Sequence, residues 1–192
     1  MLQRCYFFYK LQRFRKLILR HIICLLYIYF IFDNMSYTIR FATVDDMKSV
    51  HKLITELAVF EKEPEAVKIS VKDLQEHGFS TNPKFQVFIA EEENQIIGMA
   101  LFYERYSTWR GKAIHLEDLI VTQSKRGIGV GKALYTRLME YANENDYKRV
   151  AWEVLDWNQG AIDFYEYTGA SVLDEWRVVH MTEENLKSFI QK

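Results

Sequence analysis

The sequence predicts an α/β fold of the α+β type, a mixed and mostly antiparallel sheet with helices on both faces. Three observations predict it. FQVFIAEE, QIIGMALFYERY and KAIHLEDLIV are successive apolar runs with short connections, the pattern of an antiparallel meander. A long helical segment then separates KAIHLEDLIV from a further strand, KRVAWEVL, and strand–helix–strand over that length is a crossover that adds at least one parallel pair. Segments with helical periodicity lie before, between and after the strands, enough to cover both faces.

The elements follow in order. Tyr37–Phe41 alternates and reads as the first strand. Asp45 caps a helix reaching about Phe60, whose apolar positions Met47, Val50, Leu53, Ile54, Leu57 and Ala58 recur at helical spacing. EKEPEAV, with Pro64, is a charged loop; Ser70 then caps a short helix, VKDLQEH, stopped by Gly78. The meander comes next, with Glu91–Asn94 as its first tight connection. A helix over Gly129–Asn145 buries Leu134, Leu138, Tyr141 and Ala142. After KRVAWEVL, GAIDFYEYTGA holds a short helix ended by Gly169; VLDEWRVVHM is strand-like, and Thr182-Glu183-Glu184 opens a last helix. The order is β-α-α-β-β-β-α-β-α-β-α.

The 192 residues carry 25 basic and 26 acidic side chains, unevenly spread. Residues 1–34 hold Arg4, Lys10, Arg13, Arg15, Lys16 and Arg20 against Asp33 alone, so the body from Met35 is acidic. An acidic body argues against nucleic acid as the main partner and suits a cationic one. Both cysteines, Cys5 and Cys24, lie in the leader, so the body has no thiol nucleophile and a reducing, cytoplasmic setting is expected. The histidines show no ligand spacing, no metal is expected, and His115 reads as a strand-face residue. The leader's apolar run, Ile22–Phe32, is 11 residues long, against the roughly 20 of a spanning helix. Its basic flank is like the start of a signal peptide, but no small-residue cleavage site follows. A membrane-surface or anchor segment, an uncleaved targeting piece and upstream sequence outside the working protein compete. The reading adopted is the last: 1–34 stands outside the fold, Met35 is the start, and 35–192 is one domain. A membrane partner is expected only if the leader is retained.

The most informative loop is SKRGIGVGKAL, where Gly127, Gly129 and Gly131 are flanked by Lys125, Arg126 and Lys132. It is not a P-loop: with Gly131-Lys132 as the G-K, the first glycine falls on Arg126 and the Ser/Thr on Ala133. It is not a dinucleotide fingerprint either, because the third glycine falls on Lys132 or Leu134. What remains is R-x-x-G-x-G, opening a helix after a strand. Close backbone approach, outward N–H groups and the helix dipole suit an anion. A turn that merely starts a helix has the same letters.

LEDLIVTQSKRGIGVGKALYTRLMEYA resembles the acyl-CoA pyrophosphate loop of the GNAT superfamily of N-acetyltransferases. ELAVFEKEPEAVKI, YSTWRGKAIHLEDL, VLDWNQGAIDFYEYTGAS and EWR resemble its diamine (polyamine) acetyltransferase family, the third in particular the branch that prefers thialysine, S-(2-aminoethyl)cysteine. The resemblance covers 35–192 and none of 1–34. It implies the GNAT acyl-CoA N-acyltransferase fold, acetyl-CoA as co-substrate, and direct acetyl transfer to the primary amine of a small molecule. Thialysine or a related aminoethyl amino acid comes first; a spermidine or spermine acetyltransferase, or a CoA-binding module with little catalysis, are the alternatives. A homodimer is implied as well.

The reaction sets three tasks: the amine, with pKa around 10, must lose a proton; the carbonyl must be polarised; the leaving thiolate must be protonated. The resemblance makes Tyr165 the acid and Glu117 the base, acting through water, with Asp118 close to the cationic substrate. By periodicity alone Tyr165 is a core aromatic beside Phe164 and Tyr167. Glu117 and Asp118 interrupt an apolar strand, where desolvating a carboxylate is costly, and alternation sends them to opposite faces. Implied cofactor contacts are the backbone of Leu119, Ile120 and Val121, the loop Arg126, Gly127, Ile128, Gly129, Val130, Gly131 and Lys132, and Asn158, Gln159, Gly160 and Ala161 near Tyr165. Implied substrate contacts are Phe60, Glu61, Ser107, Trp109, Glu117, Asp118, Trp152, Glu153 and Asp174. Glu175 competes with Asp174, because the segment after Gly169 is shorter than in the polyamine enzymes. A carboxylate beside an amine favours the ammonium form, so an amine whose pKa is lowered by a nearby sulfur is easier to deprotonate.

Overall fold

A computed structural model describes residues 37–191, so the leader, its apolar run and Met35 lie outside the described residues. The chain divides after Trp152 into two compact units. The first holds β1 (Thr38–Phe41), a 3-10 turn (Val44–Asp46), α1 (Met47–Phe60), α2 (Val71–Gly78), β2 (Gln86–Glu92), β3 (Gln95–Ser107), β4 (Gly111–Val121), α3 (Val130–Glu144) and β5 (Arg149–Ala151). Its strands form one sheet in chain order. The first three pairs are antiparallel, β2–β3 and β3–β4 through short connections and β1–β2 across α1 and α2; β4 and β5, joined across α3, are parallel.

Both faces of this sheet are buried. Phe88, Ala90, Ala100, Phe102, Ile114 and Leu116 meet Val130, Leu134, Leu138 and Ala142 of α3. On the other face Val87, Ile89, Met99, Leu101 and Ile120 meet Met47, Val50 and Leu53 of α1 and Leu74 of α2. The period-two alternation of β2 sorts Val87 and Ile89 to one core and Phe88 and Ala90 to the other. Tyr141, expected in the core, is half-buried, its hydroxyl donating to Gln86 Oε1 at 2.9 Å.

The expected caps hold in one case and shift in the other. Ser70 caps α2 in a capping box with Asp73. At α1 the N-cap is Asp46 rather than Asp45, and its side chain makes no cap hydrogen bond to the helix: its carboxylate closes the preceding 3-10 turn, accepting from Thr43 N at 2.7 Å and from Arg40 Nη1 at 2.7 Å. These contacts, the Arg40 hydrogen bond foremost, hold the Asp46 carboxyl down at about 2. The difference arises because the chain enters through a 3-10 turn that precedes α1.

The second unit holds α4 (Gln159–Tyr167) and α5 (Glu183–Ile190). Two strand expectations change. The KRVAWEVL strand ends at Ala151, and VLDEWRVVHM forms no strand. A strand needs a ladder partner for its N–H and C=O groups, which composition alone does not supply.

Candidate active site

The β3–β4 register shifts within KAIHLEDLIV. Leu101 pairs with Asp118 and Phe102 with Leu116, which leaves Glu117 as an extra residue, a β-bulge. The bulge inverts the phase of the strand. Ile114 and Leu116 before it pack on the α3 side, and so do Leu119 and Val121 after it, whereas Ile120 joins the α1 core. Glu117 and Asp118 therefore do not point to opposite faces. Both line one cavity.

That cavity, about 710 Å³, lies among α1, α2, the loop that joins them, and strands β3 and β4. Ile54, Leu57 and Leu101 give it apolar walls, and Glu61 joins Glu117 and Asp118 in it. Burial, and then the charges of Glu117 and Glu61, push the Asp118 carboxyl up to about 7. Partial shielding raises the Glu61 carboxyl as well. Three clustered carboxyl groups attract an ammonium ion, and one that titrates near neutrality can take up its proton. His115 is buried, its Nε2 lies 3.5 Å from Glu117 Oε2, and its ring packs 5.1 Å from that of Tyr103. Its Nδ1 has no hydrogen-bond partner. Residues i and i+2 share a strand face, so the spacing of His115 and Glu117 is the signal in the sequence for their nearness.

The residues implied for coenzyme A fall into two groups. β5 pairs β4 only along Ala113–His115; beyond that, among the described residues, Leu119–Val121 have β3 on one side and no strand on the other. Gly127 and Gly129 have φ of 81° and 91°, a left-handed backbone that explains glycine there, and Gly129 is the N-cap of α3. Val130, the first residue of α3, is buried, Ile128 is exposed, and Gly131 and Lys132 follow in the first turn of the helix. The flanking cations differ in use. Lys125 is ion-paired with Glu92. Arg126 Nε donates to Val121 O at 2.9 Å, and its guanidinium lies 5.2 Å from the centre of the Phe60 ring. Arg126 thus ties the loop to the end of β4 and the end of α1.

Other expected substrate residues stand elsewhere in the first unit. Ser107 is buried, and its Oγ accepts from the backbone of Trp109 at 3.3 Å and Arg110 at 3.2 Å, a turn-holding role. Trp109 is exposed at the β3–β4 turn. Trp152 packs edge-to-face on Tyr135, centroids 5.7 Å apart. Phe60, Ser107, Trp109 and Trp152 do not line the carboxylate cavity. In the second unit, Asn158 caps α4 and its Oδ1 accepts from Ala161 N at 3.4 Å. Gln159 donates to Asp163 at 2.7 Å, and Gly160 lies in the same first turn. Tyr165 is half-buried on α4, 5.5 Å from the Phe164 ring. Glu153, Asp174 and Glu175 are exposed.

Comparison with known proteins adds to this geometry. The model of the acetyltransferase (GNAT) family matches residues 47–170. A thialysine N-epsilon-acetyltransferase of Mus musculus is 36% identical over 148 residues, 73% of this chain and 87% of that protein. A spermidine/spermine N(1)-acetyltransferase-like protein 1 of Homo sapiens is 34% identical over 164 residues, 80% of this chain but 24% of that longer protein. The solved structure of an integron cassette protein from the mobile metagenome of V. cholerae superposes with a TM-score of 0.68 at 23% identity, over 83% of this chain and 100% of that one, a likeness of fold alone. With the sheet, the glycine-opened helix and these sequence matches in agreement, the chain belongs to the acetyltransferase (GNAT) family and is an N-acetyltransferase.

Proposed function

We propose that this enzyme transfers an acetyl group from acetyl-CoA to the primary amine of a small molecule, thialysine or a related aminoethyl amino acid. The observation that carries the reading is the gathering of Glu61, Glu117 and Asp118 in one cavity by the bulge in β4. The amine enters as an ammonium, held by this negative field. Glu117 and Asp118 take its proton, the raised Asp118 carboxyl being suited to acceptance near neutral pH. The residues available for coenzyme A fit an extended arm ending in a diphosphate: an unpaired β4 edge at Leu119–Val121, left-handed glycines at 127 and 129, and the first turn of α3 with Lys132. The bound thioester supplies the acetyl group. Tyr165 would donate a proton to the departing sulfur, with Asn158, Gln159, Gly160 and Ala161 in the preceding turn along the arm.

The domain so defined is 35–192, working in the cytoplasm as a homodimer. No helix among the described residues is long and apolar enough to cross a membrane. Exposed apolar side chains in the second unit support self-association. A polyamine acceptor is the second reading, favoured by the same three carboxylates. Acetyl transfer to thialysine, lysine and spermidine, read as thiol release, separates the two. Thialysine is expected to lead in kcat/KM; spermidine ahead by tenfold or more would overturn the assignment.

A further inference from the structure

The carboxylates are not the whole charge of the cavity. Lys68, in the loop before α2, and Lys84, just before β2, line it too, with Asp73 and His77 between them in sequence. Four other lysines, Lys72, Lys125, Lys148 and Lys187, are ion-paired to Glu76, Glu92, Asp146 and Glu183. Lys68 and Lys84 have no ion-pair partner among the described residues. Asp73 makes no ion pair with either: its carboxylate, still charged, is held in the α2 cap by the Ser70 backbone at 2.7 Å and hydroxyl at 2.6 Å.

Lys84 and the carboxylates of the bulge are set apart across the sheet. Lys84 leads into β2, and the bulge lies on β4, with β3 between them, so two strand spacings of roughly 4.8 Å, about 10 Å in all, separate their backbones across the sheet. An extended amino acid with a terminal side-chain amine has six bonds of about 1.5 Å between its carboxylate carbon and that nitrogen, a span of about 7 Å along the zigzag. The flexible lysine stems take up the difference.

We infer that Lys68 and Lys84 receive the carboxylate of the acceptor, so that the enzyme selects a zwitterionic amino acid with a terminal side-chain amine. This rests on the reading of the cavity as the acceptor pocket. An all-cationic polyamine gains at the Glu61–Glu117–Asp118 end and is repelled at the lysine end, where it brings a positive charge against two others. An amino acid matches both ends, and the lysines supply discrimination that the carboxylates alone lack.

The test uses the full chain, acetyl-CoA and two acceptors that differ in one group: thialysine and its decarboxylated analogue, the corresponding aminoethyl-thio diamine. The wild type is expected to favour thialysine by about tenfold or more in kcat/KM, through KM. In the double variant Lys68→Met, Lys84→Met that ratio is expected to collapse toward one, through a rise in KM for thialysine. The charge-keeping double variant Lys68→Arg, Lys84→Arg is expected to retain most of it. A wild-type enzyme that acetylates both acceptors equally, or a ratio that survives the Met substitutions, overturns the inference and leaves the acetyltransferase reading standing. Transfer to neither acceptor nor to spermidine overturns both.

Discussion

Asp118 holds its proton to about pH 7, chiefly because burial disfavours the carboxylate and then because Glu117 and Glu61 repel it. In the unfolded chain an aspartate titrates near pH 3.9. Between these values the folded state keeps a proton that the unfolded state has lost, so this group's contribution to stability falls as pH rises from about 4 to 7 and stays low above. Asp118→Asn removes the titration. Its melting temperature is expected to exceed the wild type's at about pH 8, by about 2–4 °C for each kcal/mol relieved, and to do so by much less at about pH 4. Acetyl transfer is expected to fall by about a hundredfold or more, with the wild-type rise of kcat/KM through neutral pH abolished. A gain in melting temperature equal at the two pH values would remove carboxylate burial as its source. The pair Glu117-Asp118 was legible as two charges in an apolar strand. Its shared orientation was not, because period two describes a strand without insertions, and the bulge shows only in the pairing with Leu101 and Phe102.

Among the elements, β3 makes a close approach to neighbouring backbone at Gly98. A Cβ there would lie 2.9 Å from Ile120 O and 3.2 Å from both Leu134 Cδ1 and Val121 Cγ2. The absence of a side chain lets β3 support the part of β4 proposed to meet coenzyme A and lets α3 settle on the sheet. Gly98→Ala is expected to lower unfolding free energy by about 1–3 kcal/mol and to weaken coenzyme A affinity severalfold, read by denaturant midpoint and by ligand titration. Unchanged affinity in a destabilised variant would separate the sheet packing from the cofactor edge. The meander, the crossover and the glycine-opened helix were all legible, because each is set by local periodicity and connection length. The stretch Val172–Met181 was not, since an apolar run reads as a strand whether or not a neighbour is there to pair with it.

For the molecule as a whole, the exposed side chains of the second unit bear on association. Leu173, Trp176, Val178, Val179 and Met181 are exposed before α5, and Leu186, Phe189 and Ile190 on it. So many large apolar groups within one short stretch exceed the scattered exposure usual on a surface and mark a contact face. The proposed occupant is a second copy of the chain, whose matching patch would be self-complementary about a two-fold axis. The full chain is therefore expected to sediment as a dimer at micromolar concentration. The double variant Trp176→Asp, Val179→Asp is expected to shift it toward monomer. Both positions lie outside the described cores of the first unit, so circular-dichroism melting of the variant is expected to keep that unit's cooperative transition. A wild-type chain that stays monomeric up to about 100 µM would exclude self-association as the role of this patch. A variant that stays dimeric would move the interface elsewhere on the chain.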